Sequence, residues 1–129
     1  PGAIADFNRA IEISPNEADT YNNRGSVKDD LGDYPGAIAD YNKAIEIDPQ
    51  DAAAYNNRGI AKSNLENYPG AIADYNKAIK IDPKYAIVYR NRGIAKELVD
   101  DLKGACFDWR QASKLGDEEA AKYLRGDCQ

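Results

Sequence analysis

The stretch PGAIADYNKAIKI, residues 69–81, decides the fold. Its apolar positions Ala71, Ile72, Tyr75, Ala78 and Ile79 follow the 3.6-residue period of an amphipathic helix. Pro69 stands in the first turn, where a missing N–H costs nothing. Asp82-Pro83 ends the helix, because a residue before proline avoids helical dihedrals. The same wording stands 34 residues upstream as PGAIADYNKAIEI, residues 35–47, and again as PGAIADFNRAIEI, residues 1–13. Between residues 35–68 and 69–102, 22 of 34 positions are identical, which marks a structural repeat rather than a bias of composition. A degenerate fourth copy reads Gly104-Ala105-Cys106-Phe107-Asp108-Trp109.

A second helix is predicted in each unit, from about Ala52 to Leu65 in the clearest one. Gly25, Gly59 and Gly93 fall inside it at one repeated position. A mid-helix glycine costs ~1 kcal/mol against alanine, so its repetition predicts close backbone approach between paired helices.

Composition narrows the function. At 43% hydrophobic and 30% charged, the chain reads as a folded helical protein rather than a disordered one. A net charge of −5, with no dense basic patch, argues against nucleic acid. The apolar runs are too short for a membrane span. There is no histidine, so the commonest general base and metal ligand are both missing. No phosphate-binding glycine loop or nucleophile elbow occurs. These features predict a non-enzymatic chain without cofactor or metal. The acidic clusters Asp29, Asp30, Asp33 and Asp100, Asp101 lack the spacing of a calcium loop and read as solvated charge. The opening at Pro1 without a signal peptide suggests a fragment of a longer, bacterial-looking chain and favours the cytoplasm.

The pattern resembles the tetratricopeptide repeat. Tyr55, Gly59, Tyr68, Ala71, Tyr75, Ala78 and Pro83 fall at that family's signature spacing, and so do Tyr21, Gly25, Tyr34, Ala37, Tyr41, Ala44 and Pro49. The resemblance implies an all-α fold, a right-handed superhelical stack of antiparallel helix hairpins. It implies one domain over residues 1–129, with units at 18–51, 52–85 and 86–119. Residues 1–17 would be the second half of a truncated unit, and 120–129 a C-terminal capping helix. There are departures from the family pattern. Arg24, Arg58 and Arg92 stand where a packed leucine is usual, and Lys28, Lys62 and Lys96 where an aromatic is usual. The glycine of the inter-helix turn survives as Gly32 but becomes Glu66 and Asp100.

In the resembled family the first helix of each hairpin lines a concave groove that binds peptides or protein segments. The inward residues here would be Asp19, Asn22, Asn23, Ser26, Asp29 and Asp30, then Ala53, Asn56, Asn57, Ile60, Ser63 and Asn64, then Ile87, Arg90, Asn91, Ile94, Glu97 and Leu98. The groove grades from acidic and polar toward apolar, with one cation. Asn23, Asn57 and Asn91 would form a ladder similar to that in the repeats of O-linked N-acetylglucosamine transferase. An amide both donates and accepts, so a rung can hold peptide backbone or bond to a neighbouring helix. Some family members clamp a chaperone's terminal carboxylate with lysine, asparagine and arginine. Only the middle asparagine of that clamp is matched, by Asn57; Asn22, Ser26, Ile87 and Asn91 stand at the other positions.

Arg24, Arg58 and Arg92 and Asp6, Asp40, Asp74 and Asp108 repeat together, and predict an Arg–Asp ladder between adjacent hairpins. Ile4, Phe7 and Ile11, on a helix without its hairpin partner, suggest self-association or a tolerated exposed face. Gly116 and Asp117 suggest a helix stop and an N-cap before a last helix at about 118–127. Cys106 and Cys128 would then stand close, as a disulfide or as neighbouring thiols. The sequence therefore predicts a scaffold that binds a peptide or protein, with two alternatives: an oligomerisation module, or the substrate-recruiting arm of a larger enzyme.

Overall fold

The computed structural model describes residues 2–128. The described residues form eight helices and no strand: α1 (Gly2–Ile13), α2 (Ala18–Asp30), α3 (Tyr34–Ile47), α4 (Ala52–Asn64), α5 (Tyr68–Ile81), α6 (Ala86–Leu98), α7 (Leu102–Lys114) and α8 (Glu118–Asp127). Three antiparallel hairpins, α2–α3, α4–α5 and α6–α7, carry the most extensive helix contacts, and consecutive hairpins stack on one another. The chain is an all-α stack of antiparallel helix hairpins. Helix α8 starts at Glu118, two residues ahead of the 34-residue phase that expects it at 120, because the linker after α7 is short.

Asp117, the one N-cap expected from the sequence, makes no capping hydrogen bond with its side chain, whereas side chains cap four other helices. Asp33 and Asn67 cap α3 and α5 by accepting from the Gly36 and Gly70 amides at 3.0 and 3.1 Å, and Asp101 caps α7 likewise. First helices end in a tight reversal, in which the amides of Asp33, Asn67 and Asp101 donate to the carbonyls of Lys28, Lys62 and Lys96 at 2.8–2.9 Å. That closure needs a left-handed residue just before it. Gly32 supplies it at φ 84°, but Glu66 and Asp100 adopt φ 63° and 66° with a Cβ attached.

The core is built from small residues opposite rings. Ala37, Ala44, Ala54, Ala61, Ala71, Ala78, Ala95, Ala105, Ala112 and Ala120 are buried, and Tyr41, Tyr75 and Trp109 fill the space between helices. The repeated glycines do not bring backbones together, as the sequence suggested. They make room for a ring from the second helix. A Cβ at Gly59 would stand 2.5 Å from Cε1 of Tyr75, one at Gly25 would stand 2.6 Å from Cε1 of Tyr41, and Trp109 fills the same place at Gly93. The Trp109 indole also donates to the Arg90 carbonyl at 3.3 Å.

Curvature follows from which helices meet. First helices of successive hairpins touch directly, α2 with α4 and α4 with α6, whereas the second helices make no comparable contact. The first-helix layer is therefore the tighter, inner side of the stack.

Replacing Glu66 and Asp100 with glycine removes two left-handed non-glycine residues. The double variant is expected to gain up to ~1 kcal/mol per site, read as a higher midpoint in thermal or urea unfolding. An unchanged or lower midpoint would contradict strain at these turns.

Candidate peptide-binding groove

Each hairpin is locked by one polar node, and the nodes set which way the inner helices face. Arg58 on α4 reaches Asp74 on α5 with two parallel bonds, Nε to Oδ2 at 2.9 Å and Nη2 to Oδ1 at 2.7 Å. Its remaining nitrogen, Nη1, donates to Asn42 on α3 at 2.9 Å. Its guanidinium lies 5.4 Å from the centre of the Tyr55 ring. One turn on, Lys62 joins the same carboxylate at 3.1 Å. The pattern repeats as Arg24, Asp40, Asn8, Tyr21 and Lys28, and as Arg92, Asp108, Asn76, Tyr89 and Lys96. Hydrogen bonding to Asp40 and Asp74 holds the Arg24 and Arg58 guanidinium pKa values above their ordinary range, against partial burial.

The expectation of an Arg–Asp ladder between adjacent hairpins is corrected in one respect. The carboxylate belongs to the arginine's own hairpin, and the link to the preceding hairpin is the asparagine amide. Asp6, which has no arginine-bearing helix opposite it within this chain, is exposed.

With first helices oriented this way, the inner positions separate into two sets. Asn22 and Asn56 are 8% and 4% exposed and join successive repeats rather than lining an open surface. Asn22 donates to Asp51, the N-cap of α4, at 2.7 Å. Asn56 lies beside the side chain of Tyr85, the N-cap of α6, and opposes the rise that burial gives the Tyr85 pKa. Arg90 takes the same place one repeat on, its Nε 2.8 Å from Oδ2 of Asp117, the N-cap of α8. These two atoms are buried and not aligned as a hydrogen bond, so the contact is a charge pair. Arg90 is therefore already neutralised.

Of the asparagine ladder, Asn91 is committed, donating to Asn56 Oδ1 at 3.1 Å. Asn23 is exposed and Asn57 half-buried, and neither bonds to another described residue. Ser26 and Ile87 are exposed, while Ile60 and Ile94 are half-buried against the hairpin cores. Asp29 accepts from Asn64 at 3.2 Å. Ile4, Phe7 and Ile11 are half-buried on α1, which contacts α2 and has no fully buried residue.

At the far end, Trp109 stacks on Tyr123 of α8 with ring centres 5.0 Å apart. Cys106 on α7 and Cys128 after α8 are joined as a disulfide, with Cα atoms 5.7 Å apart. A bond of this kind persists in an oxidising compartment, whereas a reducing cytoplasm would hold two thiols. No helix among the described residues is long and apolar enough to cross a membrane, and no cluster among them has the makings of a metal site.

The comparisons agree with this architecture. Residues 30–66 match a family model described as TPR repeat, and residues 52–85 one described as Tetratricopeptide repeat. The chain is a tetratricopeptide-repeat domain protein. It is similar to the first TPR of Spaghetti (RPAP3) bound to the HSP90 peptide SRMEEVD, at 28% identity and a TM-score of 0.80, over 84% of this chain and 87% of that one. It is similar to the first TPR domain of human RPAP3, at 28% identity and a TM-score of 0.82, over 87% and 90% of the two chains. It shares the fold of MamA at 20% identity and a TM-score of 0.82, over 95% and 82%. It matches no curated protein sequence.

Asp108 is fully buried between two cations. Asp108→Asn keeps the shape and removes the charge, and is expected to cost about 3 kcal/mol in urea unfolding. A loss below 1 kcal/mol would mean the node is solvated. Reducing the Cys106–Cys128 bond is expected to cost up to about 3 kcal/mol and to speed hydrogen exchange in α8 first. Equal exchange in the oxidised and reduced protein would show that the bond does not hold α8.

Proposed function

We propose that this chain is a protein-interaction module that holds an extended peptide segment along the face built by α2, α4 and α6. The observation that carries the reading is the pair Asn23 and Asn57. They stand at the same position of successive first helices, and neither makes a hydrogen bond to another described residue. Each amide offers a donor and an acceptor to a peptide backbone. Neighbouring helix axes lie about 8–10 Å apart, or roughly three residues of extended chain, so one strand of ligand can meet both rungs. The peptide-bound neighbour supports the class of ligand, since that domain holds SRMEEVD. The cations of a carboxylate clamp are not supplied here, because Asn22, Ser26, Ile87 and Asn91 stand at those positions. The reading assigns no catalytic residue.

A peptide array with the intact chain and an Asn23→Ala, Asn57→Ala variant tests this. Asn91 is left in place because it ties two repeats together. Loss of the two amides is expected to weaken bound peptides about tenfold with an unchanged melting temperature. Full binding by the folded variant would move the site off this face.

A further inference from the structure

Among the described residues, the acidic end of the inner face has no cation paired with its carboxylates. Asp19, Asp29 and Asp30 lie on α2, and no ion pair among the described residues involves any of them. The nearest basic side chains on that helix, Arg24 and Lys28, are both committed to Asp40, at 2.6 and 3.2 Å. Arg90, the inner face's cation, is held by Asp117. Burial pushes the Asp29 carboxyl pKa up; Asn64 opposes this and the neighbouring Asp30 adds to it.

Asn22, on the same helix, gives an independent sign. It is more than nine-tenths buried, its Nδ2 is spent on Asp51, and its Oδ1 has no donor. The repeat-related acceptor, Asn56 Oδ1, is filled by Asn91 at 3.1 Å. The residue in the matching place for Asn22 is Asn57, and that bond is not made. Further along the same face stand Ile60 on α4 and then Ile87, Ile94 and Leu98 beside Glu97 on α6.

Resting on the groove reading above, we infer that the partner segment is cationic: an extended peptide that sets lysine or arginine over Asp19, Asp29 and Asp30 and an apolar side chain over Ile60, Ile87 and Ile94. Helices α2 and α6 are two helix spacings apart, about 20 Å, so the basic and apolar residues of the ligand are separated by about six positions. The ligand differs in charge from the acidic SRMEEVD held by the similar domain. Its long cationic side chains bring the positive charge that this end lacks.

Three pools of labelled 12-residue peptides test the inference by fluorescence anisotropy on the whole chain. Each pool has randomised apolar positions, and the other positions are lysine and arginine, aspartate and glutamate, or serine and glycine. The basic pool is expected to bind and to weaken with added salt. Asp29→Asn with Asp30→Asn, both on α2 and neither in an ion pair among the described residues, is expected to weaken it about three- to tenfold, with helical circular dichroism unchanged. An acidic or neutral pool that binds better and still depends on Asn57 overturns the cationic partner and leaves the groove standing. No binding by any pool, or binding indifferent to Asn57→Ala and to the double Asp variant, overturns both.

Discussion

A buried carboxylate on each second helix organises this protein. Asp40, Asp74 and Asp108 each take a two-pronged arginine and a lysine from the first helix of the same hairpin. Leaving such a carboxylate unpaired would be costly, so the first helix has one rotation that serves it. The third arginine nitrogen reaches an asparagine of the preceding hairpin, and the ring three residues earlier supports the guanidinium. One side chain thus sets the register within a hairpin and the seat of that hairpin on the last. In the resembled family a packed leucine holds this place. A leucine can slide or rotate in its hole, but a bidentate ion pair cannot, so the exchange favours a defined geometry over net stability.

The repeat and the helices were legible in the sequence because they rest on local chemistry: the 3.6-residue period and the prolines at helix starts and stops. The partner of each arginine was legible too, but through a different reading. Arg58 and Asp74 lie eight residues either side of Glu66, the centre of the hairpin turn, so antiparallel helices bring them to one height. Arg58 and Asn42 stand in the same mirror relation about residue 50, in the linker between hairpins. Counting from the turns separates the contact within a hairpin from the contact between hairpins, which similarity along the chain does not. Burial of Asn22 and Asn56 could not be read this way. It depends on how close the next first helix comes, which is set by ring volumes and linker lengths. The start of α8 at Glu118 was legible from Gly116 and Asp117, although the strict 34-residue period places it at 120.

The inner face inherits its openings from that packing. Its fifth position in each unit seats the next helix through an N-cap residue: Asn22 on Asp51, Asn56 on Tyr85 and Arg90 on Asp117. These side chains hold the floor and are not free to grip a ligand. The sixth position is free on α2 and α4 and used on α6, so the asparagine ladder has two open rungs rather than three.

Comparing the repeats with one another separates structure from recognition without any other sequence. Glycine, tyrosine, arginine, alanine, lysine and aspartate return at fixed places in all three hairpins, and each has a packing or pairing role on the page. Of the inner positions, the asparagine at the sixth place returns in every unit, but the others vary. Asp19 becomes Ala53 and Ile87, Ser26 becomes Ile60 and Ile94, and Asp30 becomes Asn64 and Leu98. Ile60 and Ile94 pack against their hairpin cores, but a hairpin also closes with the exposed Ser26 at that place. A repeat array is held by contacts between neighbours, and its inner surface is the part left to vary. Drift would scatter charge and apolar groups along that face at random. Here three carboxylates stand on α2, whereas α6 sets Ile87, Ile94 and Leu98 beside a single carboxylate, Glu97, and it is this difference that the proposed extended ligand would read.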